Sequence, residues 1–452
     1  MFAKNTVSAT IPRSYTRRDN IPHARLRDRT ILAQLTALPI ARPTTKHRLI
    51  FYSHDTYGLG HIRRTLCIVQ AFLEEEPSAD VLLATGSPVL EQLAIPSRVQ
   101  ILALKPVVKT GVERYEARDG SMDRRRVLAY RSAQLLGAMR FFRPDLLVVD
   151  HAPLGMKGEL VRALEFLRHQ LPDARTMLGL RDILDEPEVV RRTWREQGVY
   201  GALERYYDRI LVYGEQRHFA VDREYALPPS VRSKLEFTGY IRKNDPVRPA
   251  EAMRRELGVS LGAPLLLATI GGGGDGCELL LATVAAIPLL RRQRPDLQAV
   301  LVTGPLMEEG QQREIASRVA NVPGVRLTKF VPYLTSLMAT ADVVVSMAGY
   351  NTVSEVLALG RSAVLVPRVA PRREQWIRAR LLARHGLVRM LEPDQATPQR
   401  LATAVERCLC ERKRRPTAEV IAFSGTQHAV AAIRSLLPSH DQRSLRTVYT
   451  RK

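Results

Sequence analysis

One order of elements occurs twice along the chain, and it is the strongest constraint on the fold. In each half a short apolar run precedes a glycine-containing loop and then a helical pattern: residues 48–53 precede the loop 55–60, and residues 264–270 precede the loop 271–276. Short apolar runs that alternate with helical stretches are typical of parallel sheets covered by helices. We therefore predict an α/β protein built from two doubly wound, Rossmann-like halves of roughly equal size.

Composition shifts suggest where these halves begin and end. Residues 1–46 contain many arginines, several prolines and few clustered apolar residues, which predicts a basic, disordered extension. The ordered chain is predicted to divide into an N-terminal domain at 47–238 and a C-terminal domain at 239–415. Residues 416–437 are predicted to include a C-terminal helix, and residues 438–452 a frayed tail.

The charge balance indicates an anionic partner. The 452 residues include 68 Lys and Arg against 46 Asp and Glu, a net charge of +22, which favours a nucleotide, a nucleic acid or an acidic membrane surface. Four cysteines match neither a disulfide framework nor a zinc site. Since no apolar run reaches the roughly 18 residues of a membrane-spanning helix, and no secretory signal is visible, we expect a cytoplasmic protein.

The glycine-rich loop at 271–276 predicts an anion site. A helix N-terminus offers unpaired N–H groups, and glycines let a ligand approach that backbone closely. The loop lacks the Lys-Ser/Thr of a Walker-type loop and the spacing of a dinucleotide fingerprint. A purely structural tight turn remains the alternative.

Two further segments contain candidate catalytic or ligand-binding residues. His61 follows a glycine turn at the predicted carboxyl edge of a sheet, where α/β proteins bind ligands, and an imidazole suits general-base work near neutral pH. A capping or packing role is the alternative for this histidine. Glu355 lies near the start of a predicted helix that follows the predicted strand 342–346. There it either complements the helix dipole or accepts hydrogen bonds from the hydroxyls of a ribose.

Residues 330–334, 341–355, 366–367 and 374–375 together resemble the nucleotide-sugar-binding signature of the GT-B glycosyltransferases. The resemblance is strongest to the peptidoglycan N-acetylglucosaminyltransferases that form lipid II, and it places the chain among uncharacterised predicted glycosyltransferases related to them. It covers residues 237 to about 391 well, and the N-terminal half only through the loop before His61. It implies an acceptor domain and a nucleotide-sugar-binding domain that face a cleft, with the C-terminal helix crossing back to the N-terminal domain.

The resemblance also implies roles for individual residues. Glu355 would bind the ribose hydroxyls, Val331 after Phe330 would offer backbone groups to uracil, and Arg242 would lie close to the nucleotide. The donor sugar would contact Glu374 and Gln375. His61 would be the general base, with Asp150 or His151 as the second choice. The remaining implied nucleotide-sugar contacts are Gly58, Gly60, Gly272, Gly273, Gly274, Asp275, Gly276, Gly349, Asn351 and Thr352.

The implied activity is metal-independent transfer of a sugar from a UDP-sugar to a hydroxyl acceptor, with no cofactor besides this co-substrate. The identity of the acceptor is left undetermined. The basic N-terminal half favours a lipid-linked or anionic acceptor and peripheral contact with an anionic membrane. Nucleic acid is not expected as a partner. Glu374 stands where the related enzyme has Gln, so the donor sugar is open too. Because residues 58–64 also resemble a UDP-sugar hydrolase, hydrolysis or epimerisation remains an alternative. A non-enzymatic basic protein that binds RNA or membrane is another.

Overall fold

The computed structural model describes residues 46–54, 59–111, 114–117, 119–242, 246–411 and 421–438. The predicted N-terminal extension apart from residue 46, the predicted tail apart from residue 438, and Gly58 lie outside these ranges.

The first half is built on a seven-stranded parallel sheet. Its strands follow the order β3-β2-β1-β6-β7-β8-β9, and two further strands, β4 and β5, form a separate antiparallel hairpin. The bounds are β1 (Arg48–Tyr52), β2 (Asp80–Thr85), β3 (Val99–Ala103), β4 (Val107–Gly111), β5 (Arg114–Ala117), β6 (Leu146–Asp150), β7 (Arg175–Arg181), β8 (Arg209–Tyr213) and β9 (Leu235–Phe237).

Helices connect these strands. They are α1 (Gly60–Glu75), α2 (Arg124–Phe142), α3 (Val161–Gln170), α4 (Pro187–Glu196), α5 (Val199–Tyr206), α6 (Val221–Glu224) and α7 (Pro229–Arg232), with 3₁₀ turns at Leu90–Gln92 and Met156–Gly158. The sequence predicted α2 to start at residue 131, but it begins at Arg124 because the Asp123 carboxylate accepts a hydrogen bond from the Arg126 amide at 2.9 Å and caps the helix.

The second half has a six-stranded parallel sheet in the order β12-β11-β10-β13-β14-β15. The strands are β10 (Leu265–Thr269), β11 (Gln298–Val302), β12 (Val325–Thr328), β13 (Val343–Ser346), β14 (Ser362–Leu365) and β15 (Arg389–Met390). The helices are α8 (Ala250–Glu256), α9 (Cys277–Arg291), α10 (Glu309–Val319), α11 (Leu334–Thr340), α12 (Tyr350–Ala358), α13 (Glu374–Arg384), α14 (Pro398–Cys410) and α15 (Gly425–Leu436), with a 3₁₀ turn at Pro393–Gln395.

Both large sheets are parallel throughout, which confirms the predicted α/β class. Strands β1, β6, β10 and β13 lie inside their sheets and are almost wholly buried. Buried parallel strands read as continuous apolar runs in the sequence, which is why they could be predicted.

The two halves share an apolar core. One cluster of buried side chains runs from Phe72 on α1 through Tyr240 and Tyr350 to Ile433 on α15. Helix α15 packs against α1, and Arg434 forms ion pairs with Glu75 and Glu76 at its end. The last helix therefore ties the end of the second half to the first helix of the first half.

The start of α15 depends on a close backbone approach. A Cβ atom on Gly425 would lie 2.5 Å from the carbonyl oxygen of Gly239, a distance that real Cβ atoms do not adopt. The Gly425 amide instead donates to the Tyr240 carbonyl at 3.2 Å. Among the helices in the described ranges, none has the length and apolar content that crossing a bilayer requires.

Candidate active site

A cavity of about 170 Å³ lies between the two halves. Residues after β10, β13 and β14 line one side, and the first turn of α1 with the end of β7 lines the other. Because the carboxyl ends of parallel strands meet at one edge of each sheet, this cavity lies where α/β sheets bind ligands. The predicted site residues that line it are Gly60, His61, Gly272, Gly273, Gly274, Asp275, Gly349, Asn351, Thr352, Glu374 and Gln375.

His61 and Asp150 form a close pair on the N-terminal side of the cavity. His61 lies in the first turn of α1, and Asp150 is the last residue of β6. Nδ1 of His61 is 2.5 Å from Oδ2 of Asp150, while Nε and Nη2 of Arg64 donate to Oδ1 at 3.0 and 2.5 Å. Because an ionised carboxylate only accepts hydrogen bonds, we assign the imidazole proton to Nδ1, which leaves Nε2 as the proton acceptor.

Burial and charge set the protonation of this pair. Burial lowers the pKa of His61 to about 4, although Asp150 opposes the shift. For Asp150, burial acts to raise the pKa, but the charges of Arg64 and His61 outweigh it and hold the pKa at about 2. At neutral pH the histidine is therefore a neutral base beside a charged carboxylate.

Two other histidines surround His61. The ring centroids of His61 and His151 are 4.8 Å apart, and His54 lies 5.7 Å from His61 and 5.8 Å from His151. Burial lowers the pKa of both His54 and His151 well below the usual value. His151, which follows Asp150 with φ 68°, is thus also neutral, but of the three rings it is His61 that contacts Asp150.

The glycine-rich loop forms the opposite wall. Gly273 has φ +91°, and a Cβ atom there would lie 2.4 Å from the Thr303 carbonyl oxygen. Gly276, also at φ +91°, is the N-cap of α9; it lies behind the wall and does not line the cavity. These two positions require glycine, so the loop conformation that presents Gly272 and Gly274 to the cavity depends on them.

A buried polar cluster lies beside this loop. Arg368 Nη1 contacts Oδ2 of Asp275 at 3.0 Å, and its Nη2 contacts Oε1 of Glu374 at 2.6 Å. The Gln375 side-chain oxygen accepts from the Arg368 amide at 3.3 Å. Glu374 is 2% exposed, and within the described chain its Oε2 atom has no hydrogen-bond partner.

The start of α12 joins the two halves at the cavity. Gly349 is the N-cap of this helix, and no side chain caps it. Asn351, one of the implied nucleotide-sugar contacts, donates from Nδ2 to the Gly60 carbonyl at 3.1 Å. The N-termini of α1 and α12 therefore meet at the cavity, with their backbone N–H groups directed to the same region.

Glu355 and Phe330 lie near Arg63, but they are not among the residues that line the cavity. Glu355 is half-buried on α12, and its charge raises the pKa of Arg63 against the larger lowering effect of burial. The Arg63 guanidinium lies 5.9 Å from the centre of the Phe330 ring. Since Arg63 itself lines the cavity, both residues lie close to one of the cavity side chains.

Two predicted contacts lie elsewhere. The Arg242 side chain is exposed, and its carbonyl accepts hydrogen bonds from Cys67 Sγ and Thr426 Oγ1, both at 3.0 Å. The Val331 side chain is buried in the core that the two halves share. Neither residue lines the cavity, so the structure gives them no contact with it.

Comparison with known proteins identifies the type of enzyme. A sequence profile of the glycosyltransferase family 28 C-terminal domain matches residues 267–434. The UDP-N-acetylglucosamine--N-acetylmuramyl-(pentapeptide) pyrophosphoryl-undecaprenol N-acetylglucosamine transferase of Acetivibrio thermocellus is 26% identical over 347 residues, which are 74% of this chain and 84% of that protein. The chain is a GT-B glycosyltransferase related to the lipid II-forming enzyme.

Solved structures confirm the GT-B fold of this glycosyltransferase. The glycosyltransferase of kitacinnamycin superposes with a TM-score of 0.57 at 17% identity, covering 87% of this chain and all of that one. MurG of Acinetobacter baumannii superposes with a TM-score of 0.51 at 15% identity, covering 86% and 99%. At these identities the likeness concerns the fold.

The glycosyltransferase has four cavity arginines that were not among the predicted site residues. Arg63, Arg64, Arg181 and Arg368 all line the cavity. Arg181 is the last residue of β7, so the feature that marks it in the sequence is a charged residue at the end of an apolar strand. The others follow His61 and β14 closely. Their positions could have been found from the rule that strand ends carry ligand contacts.

No metal site is built into the described ranges: they contain no group of three or more His, Cys, Asp or Glu side chains arranged to hold an ion. The predicted independence from metal stays a prediction.

Proposed function

We propose that this glycosyltransferase moves a sugar from a UDP-sugar to a hydroxyl acceptor, with His61 as general base. The observation that carries the proposal is the pairing of His61 with Asp150 at 2.5 Å, on the opposite side of one cavity from the glycine-rich loop. A base on one domain and an anion-binding loop on the other bring an acceptor hydroxyl and a leaving diphosphate together.

The donor diphosphate would lie between the glycine-rich loop and the start of α12. Backbone N–H groups and helix N-termini favour anions there. Glu355 would accept hydrogen bonds from two ribose hydroxyls. The related transferase is named for a UDP-N-acetylglucosamine donor, which supports a uridine nucleotide.

Glu374 and Gln375 would hold the sugar. Glu374 keeps one carboxylate oxygen on Arg368, while its other oxygen is buried and has no partner within the described residues. A buried carboxylate oxygen without a donor costs free energy, which a sugar hydroxyl would offset. Because Glu374 only accepts hydrogen bonds, it would select a hydroxyl or an amide N–H at that position of the sugar.

The transfer step follows from this placement. The acceptor hydroxyl oxygen bonds to the anomeric carbon, its proton passes to Nε2 of His61, and the bond from the anomeric carbon to the diphosphate breaks with its electron pair on the phosphate oxygen. Asp150 keeps the imidazole oriented and stabilises its charged form. The products are UDP and the glycosylated acceptor, and His61 returns its proton to water.

We also propose a lipid-linked, anionic acceptor at the cytoplasmic membrane face. The related transferase is named for a pyrophosphoryl-undecaprenol acceptor. In this chain Arg124, Arg125 and Arg126 are exposed in the first turn of α2. Three cations at a helix N-terminus oppose the helix dipole, and anionic headgroups would relieve that repulsion.

The proposal is tested by incubating the purified protein with UDP-N-acetylglucosamine, with and without an isoprenyl-diphosphate-linked sugar. We expect UDP release that depends on the acceptor. Equally fast UDP release without acceptor would indicate a hydrolase, and appearance of the C2 epimer of the donor would indicate an epimerase. Tight, salt-sensitive RNA binding without any affinity for UDP would indicate a nucleic-acid-binding protein.

Replacing Glu355 by alanine is expected to weaken UDP binding by about 10²–10⁴-fold, because it removes two hydrogen bonds to a charged group that contribute about 1.5–3 kcal/mol each. Isothermal titration of UDP measures the effect, and the melting temperature checks that the variant folds. Glu251→Ala, an exposed position on α8, is the matched control. An unchanged UDP affinity in Glu355→Ala would remove Glu355 from the site.

The pH profile gives a second check on His61. A base acts only when it is neutral, and burial lowers the pKa of His61 to about 4 from its ordinary value of 6.5. We therefore expect kcat/KM to stay level as the pH falls from 8 to about 5, and to decline only as it approaches about 4. A decline centred near the ordinary histidine value would contradict a buried, neutral His61 as the base.

A further inference from the structure

Arg181 differs from the other charged side chains of the cavity. Arg64 contacts Asp150, and Arg368 contacts Asp275 and Glu374. Within the described ranges, Arg181 makes no ion pair, and its Nε atom is buried without a hydrogen-bond partner. Arg63 makes no ion pair within the described ranges either, but its guanidinium lies 5.9 Å from the centre of the Phe330 ring, and it does not have the buried, unpartnered Nε atom that sets Arg181 apart.

Arg181 lies between the proposed base and the proposed sugar contact. It lines the same cavity as His61 and Glu374. Its charge lowers the pKa of His61 and of His151, and the carboxylate that acts most on Arg181 itself is Glu374. These couplings indicate that the Arg181 guanidinium lies between the proposed base and the proposed donor-sugar site. It belongs to the N-terminal half and lies across the cavity from the glycine-rich loop.

This cation stays charged at neutral pH. Burial lowers the pKa of Arg181 to about 10, with Glu374 opposing the shift. A half-buried guanidinium that makes no ion pair within the described chain costs free energy. An arriving anion would offset that cost, and a planar guanidinium binds phosphate oxygens through paired N–H groups.

We propose that Arg181 is a catalytic residue that stabilises the negative charge developing on the β-phosphate as the sugar leaves. When the bond from the anomeric carbon to the β-phosphate oxygen breaks, the electron pair stays on that oxygen, and Arg181 provides a full positive charge facing it. The glycine-rich loop and the helix N-termini supply only partial charges from the other side. Such a preorganised contact strengthens as charge appears, which is what accelerates bond cleavage.

The inference rests on the proposed function, and its test uses binding alone, so the acceptor need not be known. Three ligands differ at the β-phosphate: UMP lacks it, UDP-N-acetylglucosamine has it esterified, and UDP has it free with about one further negative charge at neutral pH, as for a phosphate monoester. UDP therefore mimics the leaving group after bond cleavage. Titration calorimetry measures the Kd of each ligand for the wild type and the variants.

For Arg181→Gln we expect UDP affinity to fall by about 10–100-fold, UDP-N-acetylglucosamine affinity by less than about threefold, and UMP affinity to stay unchanged. Arg181→Lys keeps the charge and should recover part of the UDP affinity. Arg192→Gln, at an exposed position on α4, is the matched control and should bind all three ligands as the wild type does.

Any other pattern of affinities would overturn the proposal. Equal losses for the three ligands would mean that Arg181 only supports the fold of the site. Equal losses of affinity for UDP and UDP-N-acetylglucosamine would mean that Arg181 contacts the intact donor. Unchanged affinities for all three ligands would mean that Arg181 does not contact the nucleotide and acts on the acceptor. If the wild type binds neither uridine diphosphate ligand, the proposed function itself fails, which is a distinct outcome.

Discussion

Replacing His61 by alanine is expected to lower the rate of sugar transfer by about 10²–10⁴-fold, the usual cost of losing a general base. The imidazole is the side chain of the cavity that contacts a buried carboxylate and keeps a nitrogen available to accept a proton. The loss should appear in kcat measured with saturating UDP-sugar. UDP affinity should change little, because His61 makes none of the proposed contacts to the nucleotide and Arg181 is unchanged in this variant.

Two variants make this test specific. Asp150→Asn keeps the shape of the carboxylate but removes the charge that orients His61, so it should lower kcat as well. His169→Ala, at an exposed histidine on α3 whose ring contacts Glu165, is the matched control and should retain full activity. If His61→Ala transfers sugar at the wild-type rate, the base is another group, and His151 is then the next residue to replace.

Replacing Arg378 by methionine is expected to destabilise the fold by about 3–5 kcal/mol, the cost of leaving one partner of a buried ion pair alone. Arg378 on α13 contacts Asp182, which follows β7, through Nε–Oδ2 at 3.0 Å and Nη2–Oδ1 at 2.6 Å. Both side chains are buried, and the pair joins the two halves. Urea unfolding followed by circular dichroism measures the change.

Matched variants separate the charge from the packing. The exposed pair of Arg313 and Glu309, 3.7 Å apart on α10, provides the control, because Arg313→Ala removes a solvated ion pair worth little. Adding Asp182→Leu to Arg378→Met should recover part of the lost stability, since no buried charge is then left unpaired. A single variant that unfolds at the wild-type urea concentration would show that this pair does not hold the halves together.

The sheets could be predicted because each strand is marked by a short run of neighbouring residues in the sequence. Central parallel strands are buried on both faces, so they appear as uninterrupted apolar runs such as residues 209–213, and the glycines after them mark turns. The hairpin of β4 and β5 was missed, because its strands are short, polar and lie outside the main sheets. The start of α2 was placed too late, because its first turn consists of arginines and begins at a capping aspartate.

The positions of the site loops could be predicted from the sequence better than the charged contacts of the site. His61, the glycine-rich loop and the pair of Glu374 and Gln375 follow strand ends or begin helices, and such positions are recognisable in a sequence. The strand-end position of Arg181 could have been recognised too, but nothing in the sequence shows which of the 68 Lys and Arg residues makes no ion pair within the described ranges. Arg242 was assigned by resemblance, yet its side chain lies away from the cavity.

By itself, the sequence determined the α/β class, the glycine-rich loop at 271–276 and the choice of His61 as the candidate base, because each depends on neighbouring residues and on helix or strand periodicity. The tertiary structure alone decided that Asp150 contacts His61 across 89 positions, that Arg378 pairs with Asp182, and that Arg181 lines the cavity without an ion pair to any described residue. These contacts join residues distant in the chain. Their distances and protonation depend on burial, which exists only once both halves are packed together.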